Sequence, residues 1–331
     1  MTMSAIGILA TGSYVPKQIV TGADVAGPAG VTPEWIERKT QIVTRRYAAP
    51  HQATSDLAVE AAKQALEQAG LPAEALRYLI VSTSTPDSPQ PPTSYLVQDA
   101  LGAHRAACFD LNVVCSGFVY GLALARALVA QEPDAYALVI AADVYSRILD
   151  VTDRKTVVLL GDGAGAALVG AVPSGGFLDV ELASHGSAHG LIRVKGGGSR
   201  MPTTHEIVDN GEHFFRMDGR GVRDFVMENV PGAVKALVER TGHRLADVDH
   251  FVPHQANGVL LSELVTLAGL DHAHTHRTLE RYGNTGSASV ALALDAAHRG
   301  GHLRDGDLVL LAAFGGGMSL GAALLRWTAA R

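Results

Sequence analysis

The chain has 331 residues with a formal net charge of −6, and 47% of its residues are apolar. This length is large for one hydrophobic core, so it predicts two domains or one duplicated fold. The acidic balance gives no reason to expect nucleic-acid binding, which would call for a basic face, and two cysteines are too few for a disulfide framework.

No feature of the sequence predicts export or a membrane. Residues 1–16 lack the basic start and the apolar stretch of a secretion signal. No uninterrupted apolar run approaches the ~18 residues of a membrane span. We therefore expect a cytoplasmic protein in which Cys108 and Cys115 are reduced thiols.

Strands and helices alternate along both halves of the chain. Hydrophobic periodicity and turn residues predict them, and a proline-rich loop at 86–92 interrupts the pattern. The first half has predicted strands at 4–10, 78–84, 106–112, 137–142 and 164–169, and helices at 55–69 and 116–130. The second half has predicted strands at 177–182, 250–253, 308–313 and 320–326, and helices at 221–240 and 287–299.

The two halves resemble each other weakly. In each, a short loop opens a helix of small residues, at 112–117 in the first half and 283–287 in the second. In each, a glycine-rich turn later leads into a closing strand, at 161–170 and 315–325. The pattern predicts a duplicated α/β unit with central helices buried between two sheets.

Cys115 is the first candidate for chemistry, because it stands between a predicted strand and a predicted helix. The positive end of the helix dipole favours a thiolate there, and a thiolate is the natural nucleophile toward a thioester. A lone cysteine is more commonly a small buried hydrophobic residue. Cys108, inside a predicted strand, fits that second interpretation.

His254 and Asn284 are the other candidates. His254 follows the predicted strand at 250–253, at the edge where sites of α/β proteins form. A neutral imidazole there can donate one hydrogen bond while its other nitrogen is held in place. Taken singly, a structural histidine and a helix N-cap asparagine are the commoner interpretations.

Cys115 lies in Val-Cys-Ser-Gly-Phe, His254 in His-Gln-Ala-Asn and Asn284 in Gly-Asn-Thr. Together these motifs resemble the β-ketoacyl-[acyl-carrier-protein] synthase III family of the thiolase superfamily. The resemblance covers nearly the whole chain. Further matching segments lie at 12–16, 34–36, 55–58, 153–154, 161–166, 217–220 and 314–317.

The resemblance implies an α/β protein with the duplicated thiolase fold, in which α-β-α-β-α layers place two mixed five-stranded sheets around buried helices. The first half, 1–171, would carry the nucleophilic cysteine, and the second half, 172–331, the histidine and the asparagine. A homodimer is also implied.

The resemblance also implies a ketosynthase III-like reaction. An acyl group from acyl-CoA would load on Cys115, while the backbone N–H groups of Cys115 and Gly317 form the oxyanion hole. His254 and Asn284 would stabilise the enolate formed when a malonyl thioester, carried by CoA or acyl carrier protein, loses carbon dioxide. The 3-ketoacyl product would serve fatty-acid or polyketide-type metabolism. No metal and no cofactor are expected, because the CoA thioester is a substrate.

Residues that bind the substrate are implied in the same way. Trp35 and Arg154 would clamp the CoA adenine, since a guanidinium and an indole both stack well on a purine. Gly219, Ala256 and Asn257 would line the pantetheine tunnel. Phe314 would lie near the thiol.

The sequence departs from the family pattern at several positions. Val259 replaces an arginine that helps to dock carrier protein, and Gln90 replaces a phenylalanine that closes the acyl pocket of the partner subunit. Gln90 hints at a primer longer or more polar than acetyl. Lys39 and Gln41 replace an arginine and a glycine near the CoA phosphates. An alternative basic face could come from Arg216, Arg220 and Arg223.

Two other functions remain open. One is an acyltransferase of the same fold that passes the Cys115-bound acyl group to an oxygen, nitrogen or sulfur nucleophile. The other is a non-catalytic binding module.

The glycine-rich segment 161–166 is not interpreted as a nucleotide site, because a strand follows it. The alternating His272, His274 and His276 lack the carboxylate or cysteine partner expected of a metal site.

Overall fold

The computed structural model describes residues 5–132 and 134–328. The strands in chain order are β1 (Ala5–Tyr14), β2 (Gln18–Thr21), β3 (Thr44–Tyr47), β4 (Leu76–Ser82), β5 (Ala107–Leu111), β6 (Tyr136–Val144), β7 (Asp162–Val172), β8 (Gly176–Ser184), β9 (Ile192–Arg193), β10 (Arg216–Met217), β11 (His250–Pro253), β12 (His274–Thr275), β13 (Leu308–Gly315) and β14 (Ser319–Arg326). The α-helices are α1 (Gly22–Ala26), α2 (Pro33–Thr40), α3 (Thr54–Ala69), α4 (Thr93–Leu101), α5 (Gly117–Gln131), α6 (His205–Asp209), α7 (Gly219–Arg240), α8 (Gly258–Leu267), α9 (Leu279–Tyr282) and α10 (Ala288–Arg299).

Two five-stranded sheets share one topology. The strand order is β1-β7-β6-β4-β5 in the first sheet and β8-β14-β13-β11-β12 in the second. Reading each order from its first strand, the first two pairs are antiparallel and the last two are parallel. This match over five strands confirms the predicted duplication. The chain passes from one sheet to the other between Val172 and Gly176, while the domain division at residues 171 and 172 stays a prediction.

The helices α5 and α10 lie between the two sheets, because each contacts strands of both. Their surroundings explain the excess of small residues. A Cβ added to Gly121 of α5 would lie 2.7 Å from a methyl group of Val139 on the first sheet. Close packing of this kind leaves no room for larger side chains. The predicted layer of buried small-residue helices is confirmed.

The remaining long helices cover the outer faces of the sheets. Helices α3 and α4 contact the first sheet, and α7 contacts the second sheet with α8 packed beside it. Each outer face has its own apolar cluster. The molecule therefore has the five layers, α-β-α-β-α, that the sequence predicted.

The predicted elements are observed, with shifts at their ends. The helix predicted at 221–240 begins two residues earlier, because Asp218 caps it by accepting hydrogen bonds from the N–H groups of Arg220 and Gly221. The strand predicted at 4–10 is observed from Ala5 and runs on to Tyr14, while residue 4 lies outside the described residues. The sequence analysis missed the shorter elements that border the site, among them α2 and α8.

One described segment, Val114–Gln131, is long and apolar enough to cross a membrane by composition alone. Half of that segment is buried inside the protein, where α5 packs between the two sheets. A core helix of a globular protein meets the same criteria, and the packing of this helix identifies it as one.

Candidate active site

Cys115 lies where the first sheet leads into the central helix α5. After β5, a 3-10 turn at Val114–Ser116 leads into α5 at Gly117. Val114 has a φ of 49°, a left-handed conformation that is unfavourable for a β-branched residue. Strain of this kind is concentrated at functional sites. Here the strained turn holds Cys115, which is a free thiol only 7% exposed, at the start of the helix.

His254 follows β11 of the second sheet and is almost fully buried. Its backbone N–H donates to Ala312 O over 2.8 Å, which extends the pairing of β11 with β13 by one residue. Its ring Nδ1 lies 2.6 Å from Ser289 Oγ. The ring also packs edge-on against Phe314, with the ring centroids 5.1 Å apart. The imidazole is therefore fixed from two sides.

Asn284 precedes α10, and both its backbone and its side chain are held. Its N–H donates to Leu159 O, and its carbonyl accepts from Gly161 N–H, each over 2.9 Å. Its side-chain Oδ1 accepts from Gly286 N–H over 3.0 Å. Because the oxygen is used locally, the amide Nδ2–H₂ is the end of the side chain that remains for a ligand.

The glycine turn after β13 packs directly against the cysteine. A Cβ at Gly315 would lie 2.6 Å from Cys115 N, so only glycine allows this approach. Gly317 has a φ of 129°, a conformation that favours glycine. Ser319, at the end of the turn, donates to Ser116 Oγ over 3.0 Å and so ties the turn to the residue after the cysteine.

The three candidate residues and Phe314 line one internal cavity. Its volume is ≈ 30 Å³. Most of its other walls are apolar. The lining residues are Cys115, Tyr145, Thr156, Leu159, Leu160, Ile192, Phe215, Met217, Val222, His254, Ala256, Asn284 and Phe314. The structure thus brings together side chains that are 139 and 30 positions apart in the sequence.

A cleft of ≈ 720 Å³ adjoins this cavity. Five residues line both, namely Leu159, Met217, Val222, Ala256 and Asn284. The cleft contains the five residues that the sequence placed along a CoA site, which are Trp35, Arg154, Gly219, Ala256 and Asn257. Lys39 and Lys155 add positive charge to its walls. The arrangement can hold a long, anionic molecule whose end reaches the buried thiol.

Asn257 has a structural role that the sequence analysis did not predict. Its Oδ1 caps α8 by accepting from Val259 N–H and Leu260 N–H, and its Nδ2 donates to Lys39 O.

Gln90 lines neither the cavity nor the cleft, and it is exposed in the proline-rich loop. Its predicted position at the pocket of a partner subunit stays a prediction.

The histidines of the second sheet lie at its far edge. His274 lies on β12 and His276 directly follows it, with ring centroids 4.5 Å apart, whereas His272 contacts Leu245 O through Nε2. Within residues 5–132 and 134–328, no group of three or more histidine, cysteine or acidic side chains is arranged to hold a metal ion.

Comparison with known proteins identifies the family to which this chain belongs. The model of 3-oxoacyl-[acyl-carrier-protein] synthase III matches residues 109–186, and the model of its C-terminal part matches residues 238–327. Acetoacetyl CoA synthase NphT7 of Streptomyces sp. (strain CL190) is 51% identical over 99% of this chain and 100% of that protein. The chain belongs to the 3-oxoacyl-[acyl-carrier-protein] synthase III family.

Two further relatives agree with this assignment. The β-ketoacyl-[acyl-carrier-protein] synthase III of Caldanaerobacter subterraneus subsp. tengcongensis is 44% identical over 98% of both chains. The crystal structure of the priming β-ketosynthase from the R1128 polyketide biosynthetic pathway has a TM-score of 0.92 at 33% identity, with 99% of this chain and 98% of that chain covered. The chain therefore has the duplicated thiolase fold and is a ketosynthase III-like condensing enzyme.

The protonation state of this synthase III site differs from the prediction. Burial raises the pKa of the Cys115 thiol well above its usual value, and the nearby Asp143 carboxylate raises it further. Burial lowers the pKa of His254 to about 3. These shifts favour a neutral thiol and a neutral imidazole in the resting site. Desolvation thus opposes the thiolate that the helix dipole favours.

Buried groups that the sequence did not predict hold the synthase III site in place. Asp143, at the end of β6, accepts from Ser84 N–H, Ser287 N–H and Ser287 Oγ over 2.7, 2.8 and 2.7 Å. Burial raises the pKa of Asp143 to about 6, against the effect of these bonds. Asp143 thus joins the first sheet to the loop that carries Asn284.

Gln255 has the same kind of role beside His254. Its fully buried amide donates to Pro253 O and His276 O and accepts from Thr278 N–H. The sequence does contain a signal for Asp143, because this carboxylate lies inside the apolar run of β6. A carboxylate buried in such a run needs hydrogen-bond partners. Gln255 and Ser289 had no such signal, since Gln255 contacts His276 and Thr278, and Ser289 contacts His254, across more than 20 residues of sequence.

Proposed function

We propose that this chain condenses an acetyl primer on Cys115 with the malonyl group of malonyl-CoA to form acetoacetyl-CoA. The observation that carries the proposal is the closed cavity at the end of the CoA-sized cleft, in which Cys115, His254 and Asn284 meet. The product of the relative NphT7, as its name states, is acetoacetyl-CoA.

In the first half of the reaction, Cys115 Sγ attacks the acetyl thioester. A new thioester forms on the cysteine, the bond to CoA breaks, and the thiol proton leaves with the CoA sulfur. The N–H groups of Cys115 and Gly317 are proposed to stabilise the oxyanion. Among the described residues, Gly317 N–H has no other hydrogen-bond partner.

In the second half, malonyl-CoA enters the same cleft and loses carbon dioxide. The negative charge passes to its thioester oxygen, where the two neutral donors, His254 and Asn284 Nδ2, stabilise the enolate. The enolate carbon attacks the acetyl-cysteine, and the released thiolate takes a proton from solvent. No cofactor and no metal enter this scheme, because each bond is made and broken by the thioesters and these side chains.

A short primer is supported by the size of the cavity. A cavity of only ≈ 30 Å³ favours a small acyl group over a long chain. The departure at Gln90 suggested a longer or more polar primer, but within this chain the walls of the cavity oppose it. Aromatic rings of Tyr145 and Phe215 form part of those walls.

Free CoA thioesters, rather than carrier-protein thioesters, are supported by the charges at the cleft. Val259 is 46% exposed where an arginine would meet a carrier protein. Arg216 is paired with Asp150 and Asp153, and Arg223 is paired with Glu263 and Asp224. The alternative basic face is thus largely neutralised, which leaves little attraction for an acidic partner.

The proposal is tested by intact-protein mass spectrometry after incubation with a panel of acyl-CoAs and a chase with malonyl-CoA. We expect an acetyl adduct that is absent in Cys115→Ala, and acetoacetyl-CoA with carbon dioxide on the chase. Adducts that ignore malonyl donors and discharge onto an amine or alcohol would establish the acyltransferase instead. Absence of any adduct would favour a non-catalytic module.

The choice of donor is tested with Val259→Arg. We expect the native enzyme to prefer malonyl-CoA over malonyl carrier protein, and Val259→Arg to raise kcat/KM for the carrier protein alone. Leu267→Arg, at an exposed site on the same helix α8, is the matched control. Equal use of both donors by the native enzyme would contradict the proposal.

Two further features of the protein are proposed with this function. Both cysteines are free, and the substrates are CoA thioesters, so we place the enzyme in the reducing cytoplasm.

A homodimer is proposed from the free edge of the first sheet, where β5 pairs only with β4 among the described strands. The sequence of β5 has no lysine or proline to prevent pairing with a second copy.

A further inference from the structure

Ser289 is a buried hydroxyl that touches the candidate catalytic histidine. It is the second residue of α10 and is fully buried. Its Oγ lies 2.6 Å from His254 Nδ1 and 3.4 Å from the backbone nitrogen of Gln255. The hydroxyl therefore contacts two consecutive residues of the loop after β11 from a helix of the central layer.

These two contacts favour one direction for the hydrogen bond between Ser289 and the histidine. Gln255 N–H can only donate, so Ser289 Oγ accepts that bond. Within the described parts of the chain, His254 Nδ1 is the acceptor within reach of the hydroxyl proton. If the hydroxyl donates to Nδ1, the ring nitrogen Nδ1 is unprotonated, and the neutral imidazole carries its proton on Nε2.

We propose that Ser289 is a positioning residue that holds His254 in the Nε2–H tautomer, so that His254 acts as a hydrogen-bond donor to the malonyl thioester and not as the base for Cys115. This inference rests on the proposed condensation and adds a residue to it. His254 and Asn284 then have the same hydrogen-bond arrangement. In each, one end of the side chain is occupied by a local hydrogen bond and the donor end is left for the substrate.

Under this proposal, the two half reactions depend differently on His254 and Ser289. Loading of Cys115 does not use His254, because an Nε2–H ring cannot accept the thiol proton, which leaves with CoA. Decarboxylation and condensation use both donors. Loss of Ser289 therefore affects the second half, whereas general damage to the fold would affect both.

The first test measures each half reaction in Ser289→Ala. We expect acetyl loading of Cys115, followed by mass spectrometry after rapid quenching, to stay within about threefold of the native rate. We expect carbon dioxide release from malonyl-CoA on the acetyl-enzyme to fall by about 10²-fold, which is typical of losing one donor to a developing oxyanion. Ser289→Thr, which keeps the hydroxyl, should recover most of this loss. Equal losses in both halves would overturn the proposal.

The second test reads the tautomer directly in the native protein. With ¹⁵N-labelled histidine, the signals of His254 are assigned by their absence in His254→Gln. Nitrogen shifts that place the proton on Nε2 support the proposal, and a proton on Nδ1 overturns it. This readout needs no turnover, so it decides the role of Ser289 even if acetoacetyl-CoA is not the product. It also decides the question if Ser289→Ala fails to fold.

Discussion

At the scale of single residues, the site depends on backbone atoms as much as on side chains. The N–H groups of Cys115 and Gly317 are the proposed oxyanion donors, and the glycine turn must lie against the cysteine to bring them together. The absent side chain of Gly315 makes this contact possible, since a Cβ would lie 2.6 Å from Cys115 N. An oxyanion hole built this way is sensitive to a single added carbon atom.

We therefore expect Gly315→Ala to slow acetyl loading of Cys115 by about 10²-fold, because the two N–H groups are pushed apart. The measurement is the rate of acetyl-enzyme formation from acetyl-CoA by quenched mass spectrometry. Gly232→Ala is the matched control, since a Cβ at Gly232 meets no atom within 4 Å. A Gly315→Ala enzyme that loads at the native rate would show that the turn does not position the donors.

At the scale of elements, the second sheet carries His254 at one end and a group of histidines at its edge strand. His276, directly after β12, is 6% exposed, and its Nε2 lies 3.1 Å from His250 Nδ1. His250 in turn contacts Asp307 through Nε2 over 3.0 Å. Burial, with repulsion from His274, His250 and His302, lowers the pKa of His276 to about 3.

This pKa makes the edge of the second sheet sensitive to acid. The unfolded chain takes up a proton on residue 276 near its ordinary pKa of ~6.5, whereas the folded protein does not. Stability is therefore lost as the pH falls below ~6.5, by about 1–2 kcal/mol between pH 7 and pH 5. In His276→Asn, we expect the decrease over this interval to be smaller by that amount.

Urea unfolding at pH 7 and pH 5, at one protein concentration, measures this difference. His104→Asn, at an exposed site, should keep the native pH dependence. If His276→Asn loses as much stability toward pH 5 as the native protein, the buried imidazole is not the group responsible.

At the scale of the whole molecule, duplication explains both the layers and the position of the site. Equivalent loops of the two halves open the central helices α5 and α10, and these loops carry Cys115 and Asn284. His254 comes from the end of β11, beside them. One edge of the first sheet remains unpaired within the chain, because β5 has a neighbour on one side only.

We expect this edge to pair with that of a second copy. Phe109, at the centre of β5, is half-buried, and Phe109→Lys should prevent association by placing a charge in the strand. Sedimentation equilibrium should give twice the 34.6 kDa chain mass for the native protein and the mass of one chain for the variant. Leu267→Lys, on the exposed side of α8, should remain a dimer. A native monomer, or a dimeric Phe109→Lys, would contradict this arrangement.

The sequence by itself determined the element types, the duplication and the residues that meet in the cavity. Periodicity is a local property, and strands with continuous apolar runs, such as β6 and β13, can only be buried. The spacing of Cys115, His254 and Asn284 carried the family resemblance, and the structure brings these three residues together. The resemblance likewise predicts Trp35 and Arg154 at the CoA site, and both line the cleft.

Only the tertiary structure decided what these residues are held by and how they are charged. Asp143, Gln255 and Ser289 have partners from other elements, and the sequence does not show which elements meet. The thiolate predicted at Cys115 is opposed by features of the same kind. The helix dipole is a local feature, but desolvation and the charge of Asp143 depend on the burial of the whole site. Local patterns thus predicted the chemistry, whereas packing determined its protonation states and its supporting hydrogen bonds.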